Sequence, residues 1–321
     1  MDSSVAYDTE VPVKLSLIVG RAPDAPADLL PFAELASGFE TTLWTGQANL
    51  GSAASMFAYA AGAGRSSAVG FSVALMGMRP ASTAALEVTA HAQMSRQPVA
   101  FGVGPGSIEY QESWLGHRIR KPIQATRLYV EEFRAHTDRL RMQIESRGTH
   151  LPGIEIGVGV LRPAMAEMVG ETADFAVTWL CPPKYLHDVV VPAMKRGAER
   201  LGRPTPRLVA VNPLYESGHG IPANVLVESP HLGMPHYLDM LRRAGLDVGD
   251  DRRRNAEVLA ASTAVLDAES ARLSSLLKAY RSAGVDELVL NTSGMQAYFG
   301  TAAACGAVRA VLEQHQEDFD E

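Results

Sequence analysis

Cysteine is nearly absent from this chain: 2 in 321 residues, Cys181 and Cys305, far apart and in no Cys-x-x-Cys pair. That excludes a disulfide framework and a zinc ribbon, and it makes a reducing cytoplasm the expected setting. Both thiols are read as small buried hydrophobes. No apolar run approaches the roughly 20 residues that a bilayer span needs, so no membrane association is expected. The first ten residues, Met1 to Glu10, are polar and acidic, with no basic stretch leading into an apolar one. No secretory signal is expected there. Basic charge is also in deficit. The 29 Lys and Arg against 36 Asp and Glu leave a formal charge of −7, which argues against a general nucleic-acid binder.

The usual catalytic signatures are missing too. There is no Gly-x-Ser-x-Gly elbow and no His-Glu-x-x-His pair, so neither a serine hydrolase nor a zincin is indicated. Gly104-Pro105-Gly106-Ser107 lacks the Lys-Ser/Thr of a phosphate-binding P-loop. Gly102, Gly104 and Gly106 alternate, and so do not form the Gly-x-Gly-x-x-Gly of a dinucleotide fold. Of the 9 histidines, His219, His231 and His236 lie near one another in sequence. Their spacing matches no metal-ligand pattern, and no metal is expected.

What is present is a repeated unit: short apolar strand, small-residue turn, helix. Strands are read at Val11 to Val19, Thr41 to Thr45, Ala68 to Leu75, Gln97 to Val103, Ile154 to Leu161, Phe175 to Trp179, Leu208 to Asn212 and Val285 to Leu290. Helices fall between them, one with Ser52 as its cap and one with Pro163 at its first turn. Eight strands in strict alternation with helices predict an α/β fold, a (β/α)8 TIM barrel. The alternation breaks at about 216–255. That stretch is rich in Gly and Pro, holds one good helical segment at about Pro235 to Ala244, and reads as an insertion after strand 7. The rest of residues 11–315 is one domain. Residues 1–10 are expected to be a disordered tail and 316–321 a frayed acidic one.

In such a barrel the site lies where strands end. The strand ends here are Gly20, Gly46-Gln47, Met76-Gly77, Gly104 to Ser107, Leu161-Arg162, Thr178-Trp179, Asn212 and Asn291-Thr292. They are small, neutral or amide-bearing, and no histidine lies directly among them. Alternate glycines admit close approach, either of a ligand or of another stretch of backbone. A face of this kind suits a large planar cofactor that brings its own reactivity. Trp44 and Trp179 are candidates to flank it, with ordinary core packing as the alternative for each. Arg162, ahead of the Pro163 helix, is the best phosphate candidate. Glu109 and Glu112 follow the glycine loop as possible acids, with a solvated loop position as the alternative.

The order of these segments resembles a family. It runs Leu43-Trp44-Thr45-Gly46-Gln47, Arg79-Pro80, Phe101 to Gly106, then Gly159-Val160-Leu161-Arg162-Pro163-Ala164 and on to Asp174. Thr178-Trp179, Val191-Pro192, Gly202-Arg203-Pro204 and Ala283-Gly284-Val285-Asp286-Glu287 follow. It is similar to the luciferase-like flavin or deazaflavin oxidoreductases, over about residues 13–215 and 270–314. Within them it looks most like the branch that uses coenzyme F420. The resemblance implies a cofactor ring across the strand ends beside Gly20 and Gln47, with Met76-Gly77 under its middle as a non-prolyl cis peptide. Gly104, Pro105, Gly106 and Ser107 would lie along it. Gly159 to Ala164, with Thr178 and Trp179, would hold the ribityl and phosphate part. Gln47, Ser107 and Glu109 fall at the reacting centre, and Trp44, Asn212 and His231 on the substrate side.

The chain also departs from the family. Gln47 stands where many members carry an Asp that takes part in catalysis, and Ser107 where some deazaflavin enzymes carry Glu. Phe175 stands where Ala-Asp-Gly is usual, and together these weigh against a sugar-phosphate dehydrogenase. The expected activity is hydride transfer from reduced F420 to an activated C=C or C=N bond of a small organic molecule, by a homodimer. The alternatives are an FMN-dependent monooxygenase served by a separate flavin reductase, and a barrel that binds no cofactor and acts as a scaffold.

Overall fold

The structure is a computed structural model and describes residues 12–46 and 51–320. Nine strands are formed: β1 (Lys14–Val19), β2 (Thr42–Thr45), β3 (Ala68–Leu75), β4 (Val99–Gly104), β5 (Ile154–Gly159), β6 (Phe175–Trp179), β7 (Arg207–Tyr215), β8 (Leu266–Asp267) and β9 (Glu287–Asn291). All pairings are parallel. Going round from β1 through β7, then β9, the sheet closes on itself where β9 pairs with β1. This is the expected (β/α)8 barrel. β8 was not foreseen. It is a two-residue strand outside the ring, bonded to β7 at Leu214 and Tyr215.

Strand alternation turns every second residue inward. Ile18, Trp44, Ala100, Phe175, Val177, Val209, Val211 and Val289 form the barrel interior. Its volume is balanced by glycine. A Cβ on Gly70 would come within 2.2 Å of the Trp44 ring, and one on Gly157 within 2.3 Å of Phe175. Two large rings therefore fill the centre because two opposing positions carry no side chain.

The floor is sealed by charge. Glu287 accepts from Ser16 Oγ and from Trp44 Nε1 (2.8 Å), while its other oxygen takes Arg207 Nη1 at 2.9 Å. Arg207 also reaches Glu155 at 2.6 Å. Burial raises the Glu287 carboxyl pKa, but Lys14, Arg207 and these hydrogen bonds outweigh it, so the net shift is downward.

Outward-facing strand residues pack under the helices. Phe57, Phe71, Phe101 and Phe133 form a ladder of ring contacts at 4.9–5.1 Å from helix Ala53–Gly62 through β3 and β4 to helix Pro122–Glu145. Ser52 caps the first of these helices, accepting from Ser55 N. The insertion holds more helix than expected. Besides Pro235–Arg243, a second helix spans Arg252–Ala260, capped by Asp251 on Arg253 N and Arg254 N. Buried Asn255 ties this helix to the rest by donating to Leu232 O and Gly249 O, both at 2.8 Å. The last helix, Ser293–Asp320, is interrupted at Gly300 (φ 82°, ψ 175°) and runs on through most of the segment read as a frayed tail. Among the described residues no helix is long and apolar enough to cross a membrane.

Candidate functional site

The C-terminal strand ends meet at one face. Its centre is an irregularity in β3 that the sequence reading missed. Phe71 pairs with Phe101, yet Ala74 pairs with Val103, so Ser72 and Val73 together oppose Gly102. This is a bulge. The Ser72–Val73 peptide within it is cis, the one non-prolyl cis peptide among the described residues. The expectation for Met76-Gly77 is thereby corrected. Met76 is buried on the outer side, its sulfur against Thr126 Oγ1 of helix Pro122–Glu145, and a Cβ on Gly77 would strike Leu115 at 2.4 Å.

The bulge explains part of the glycine pattern. A Cβ on Gly102 would lie 2.2 Å from Phe71 O, and one on Gly104 or Gly159 would meet the Val73 side chain at 2.9 or 3.3 Å. Gly20 gives room to the turn after β9, since its Cβ would fall 1.8 Å from Ser293 Oγ. Backbone and neighbouring side chains make the close approach at these four positions. Gly46 faces Ser72 O at 3.3 Å.

Trp179, the last residue of β6, crosses toward β3 and donates its indole N–H to Ser72 O at 3.0 Å. It faces the strand-end opening. Three other expected site residues do not. Trp44 is fully buried in the barrel interior, edge-on to Phe175, with its N–H committed to Glu287. Thr178 alternates away from Trp179 and donates to Val209 O on the outer side of the sheet. Asn212 likewise points outward, donating to Ala264 O at 2.7 Å and Cys181 O at 3.4 Å. Strand alternation turns Thr178 and Asn212 outward, whereas Trp44 turns in but lies one layer below the face, under Gly46. Gln47 lies outside the described residues.

Pro105 and Gly106 (φ 75°) carry the chain from β4 into a loop tied down by buried Gln111. That side chain donates to Gly106 O and accepts from Ile119 N at 2.7 Å. Ser107 caps the turn Ile108–Tyr110 by accepting from Tyr110 N. Glu109 is fully exposed. Hydrogen bonds from its own backbone and from Ser107 lower its pKa, so it is a carboxylate at neutral pH. Val160 is buried and offers the face only backbone, and Leu161 O accepts from Tyr185 OH at 2.8 Å. Arg162 precedes helix Pro163–Thr172, with Ala164 exposed in its first turn. Its Nε donates to Asp239 of the insertion at 2.7 Å. Nothing in the sequence flagged that partner.

The insertion closes over the β6 end. His231 lies with its ring centroid 5.4 Å from Trp179 and 4.7 Å from Tyr237. Burial, with a smaller contribution from His236, brings its pKa down to about 4. His236 in turn feels Arg162 and Glu109, so the β4 loop, the β5 turn and the insertion lie near one another. Among the described residues no three His, Cys, Asp or Glu side chains converge as a metal would need.

Residues 11–215 match the model of the luciferase-like monooxygenase family, and the chain belongs to that family. Solved structures agree on the fold. A coenzyme F420-dependent tetrahydromethanopterin reductase from Methanopyrus kandleri is similar at TM-score 0.71 and 16% identity, covering 95% of this chain and 99% of that one. An F420-dependent secondary alcohol dehydrogenase, solved with an F420-acetone adduct, gives 0.67 and 16%, over 94% and 99%. The oxygenating constituent of 3,6-diketocamphane monooxygenase from Pseudomonas putida, solved with FMN, gives 0.63 and 12%, over 95% and 98%. No curated protein matches the chain in sequence.

The polar atoms of the face bear on whether a flavin or deazaflavin fits it. Ser72 Oγ is buried at the bulge and has no hydrogen-bond partner. With the open backbone at Gly46 and the Trp179 ring beside it, this leaves a polar anchor next to an aromatic surface. A flat ring with polar edges fits those residues.

Proposed function

We propose that this chain is an F420H2-dependent oxidoreductase that reduces an activated C=C or C=N bond of an organic substrate. A bound reduced deazaflavin supplies a hydride. The chain's own part is to hold and screen the reactants. Ser72 and the peptide at Gly46 would hold the ring, Trp179 would wall one side, and Arg162 with the first turn of helix Pro163–Thr172 would take a phosphate.

One observation carries the reading. Among the described residues, the inward strand-end positions Gly20, Gly46, Ser72, Val73, Gly104, Gly159, Trp179, Pro213 and Asn291 supply no carboxylate, imidazole, thiol or amine. Glu109, the nearest expected acid, is exposed and ionised. Strand ends that carry no ionised acid, no thiol and no amine, with the one imidazole nearby supplied by the insertion, leave the reactivity to a cofactor. Two F420-dependent enzymes among the structural neighbours favour the deazaflavin, at the level of fold.

The second reading is an FMN-dependent monooxygenase with a separate flavin reductase, favoured by the FMN-bound neighbour. Fluorescence titration with F420 and, separately, FMN decides between them. Tighter F420 binding supports the first reading, tighter FMN binding the second, and binding of neither removes both and leaves a scaffold. We also propose a cytoplasmic homodimer, docked through the helix faces that expose Leu86, Met94, Leu128 and Met142. A monomeric mass by light scattering would sink that assembly.

A further inference from the structure

The insertion delivers one titratable side chain to the strand-end face, and the proposed chemistry leaves it without a task. His231 sits on the short turn Pro230–Gly233. Its ring is held between Trp179, 5.4 Å away, and Tyr237, 4.7 Å away. Trp179 is itself fixed by its bond to Ser72 O. The His231 ring therefore has a defined place. Its nitrogens form no hydrogen bond with any described residue, although the ring is largely buried.

The surroundings set what the ring can recognise. Burial brings its pKa down to about 4, so at neutral pH it carries one N–H donor and one bare acceptor nitrogen and no charge. Arg162, the cation near the insertion, is already paired with Asp239. The face below offers the amide N–H groups of Asn291, whose Oδ1 accepts from Ser293 N and Oγ, and peptide edges. A carbonyl oxygen or imine nitrogen is a matched partner for the imidazole N–H. A carboxylate or sulfonate there would first require the ring to be protonated, against its burial.

We propose that His231 is the substrate-recognising polar group of this site: its imidazole hydrogen-bonds the carbonyl or imine acceptor of an uncharged, unsaturated substrate laid against Trp179. The assignment rests on the cofactor reading above, and it adds the substrate class and the residue that selects it. The hydrogen bond holds the acceptor atom in place and draws electron density toward it. The proton that ends on that atom comes from solvent.

Two substitutions separate recognition from packing. His231→Phe keeps a ring against Trp179 and removes the donor, whereas His231→Gln loses the ring and keeps a donor. Full-length wild type and both variants are titrated calorimetrically with menadione, a neutral quinone, and with 1,4-naphthoquinone-2-sulfonate, its anionic counterpart, each with saturating cofactor. Menadione binding is expected to weaken about tenfold in the Phe variant and to recover most of that in the Gln variant. The sulfonate is expected to bind the wild type more weakly than menadione. In 15N spectra the His231 imidazole should be neutral between about pH 6 and 8, with its N–H resonance moving when menadione is added.

Equal menadione affinity in wild type and His231→Phe overturns the assignment. So does a Gln variant worse than the Phe variant, tighter sulfonate binding, or no menadione binding to the wild type at about 1 mM. Failure of the cofactor reading looks different: neither F420 nor FMN binds any of the three proteins. Cofactor binding that is unchanged across the three, beside equal menadione affinities, sinks the His231 assignment alone.

Discussion

A Cβ placed on Gly157 would lie 2.3 Å from the Phe175 ring, inside a barrel whose interior has no slack to take it. Gly157→Ala is therefore expected to cost about 1–3 kcal/mol, read as a lower urea midpoint with an unchanged slope. Gly46 is the contrast. Its nearest neighbour would be Ser72 O at 3.3 Å, on the open face, so Gly46→Ala should leave the midpoint within experimental scatter and act on cofactor affinity. The two glycines look alike in sequence. What separates them is which side chain lies opposite, and that is set by strands far away in the chain.

Glu287 is the second residue whose environment can be tested. It is 2% exposed, and it is the only partner that joins Arg207 to Ser16 and Trp44. Removing it in Glu287→Ala leaves the half-buried Arg207 guanidinium with Glu155 alone and strands Ser16 and Trp44, and is expected to cost about 2–4 kcal/mol. Glu287→Gln keeps acceptors for Ser16 and Trp44 and loses less. Because the folded carboxyl pKa is depressed, the stability it contributes is complete above its unfolded value of 4.5 and is lost as pH falls through the lower folded value. The stability gap between wild type and Glu287→Gln should hold steady from neutral pH to about 5 and close below that. A gap that instead narrows on going from pH 5 to 8 would mean a different group titrates.

At the scale of elements, the insertion packs into the barrel's own outer core through Leu226, Leu232, Leu238 and Leu241, and two further contacts can be tested singly. Leu226 O packs on Gly294, where a Cβ would fall 1.8 Å away, and Asp239 holds Arg162. Gly294→Ala must push the segment Ala223–Leu226 outward. Hydrogen exchange is expected to quicken across residues 223–260 while β1 to β7 keep their protection. Uniform loss of protection would show that insertion and barrel open as one unit. The position of this insertion and its helix at 235–243 were legible as a break in strand-helix alternation and as an apolar period of 3.6. The helix Arg252–Ala260 was not. Its opening run of Asp250, Asp251 and three arginines reads as a solvated loop, and its cohesion comes from Asp251 capping backbone and Asn255 bonding two distant carbonyls. β8 is two residues long and exists only because β7 runs on beside it.

The strand-end face divides in the same way. That the site would lie there, among glycines with Trp179 and Arg162, follows from counting strands. Which residues at a strand end turn inward depends on register, and one added residue in β3 shifts it. Phe71 and Ala74 both turn toward the helices, which an unbroken strand does not allow for positions three apart. That spacing in an otherwise apolar strand was the available sign of the bulge at Ser72–Val73. Trp44, Thr178 and Asn212 lie near strand ends, but alternation turns Thr178 and Asn212 outward, and Trp44 turns in too deep to reach the face.

At the scale of the whole molecule, a ligand across this face touches loops from most of the ring, so its binding energy is added to the stability of the closed barrel. A ligand at about 100 times its Kd adds about 2.7 kcal/mol, a rise of a few degrees in Tm for a chain of this size. The cofactor-binding readings require such a rise with F420 or FMN, and the scaffold reading requires none. Asp239 sharpens the test. Its carboxylate occupies the guanidinium that a phosphate would use, so the two anions compete for Arg162. Because the pair is half exposed, the competition is weak, and Asp239→Asn is expected to tighten binding of a phosphate-bearing cofactor by about two- to fivefold. The same variant should leave the Tm of the unliganded chain nearly unchanged. If Asp239→Asn weakens cofactor binding instead, the Arg162–Asp239 pair is part of the bound state, and the phosphate sits elsewhere on the face.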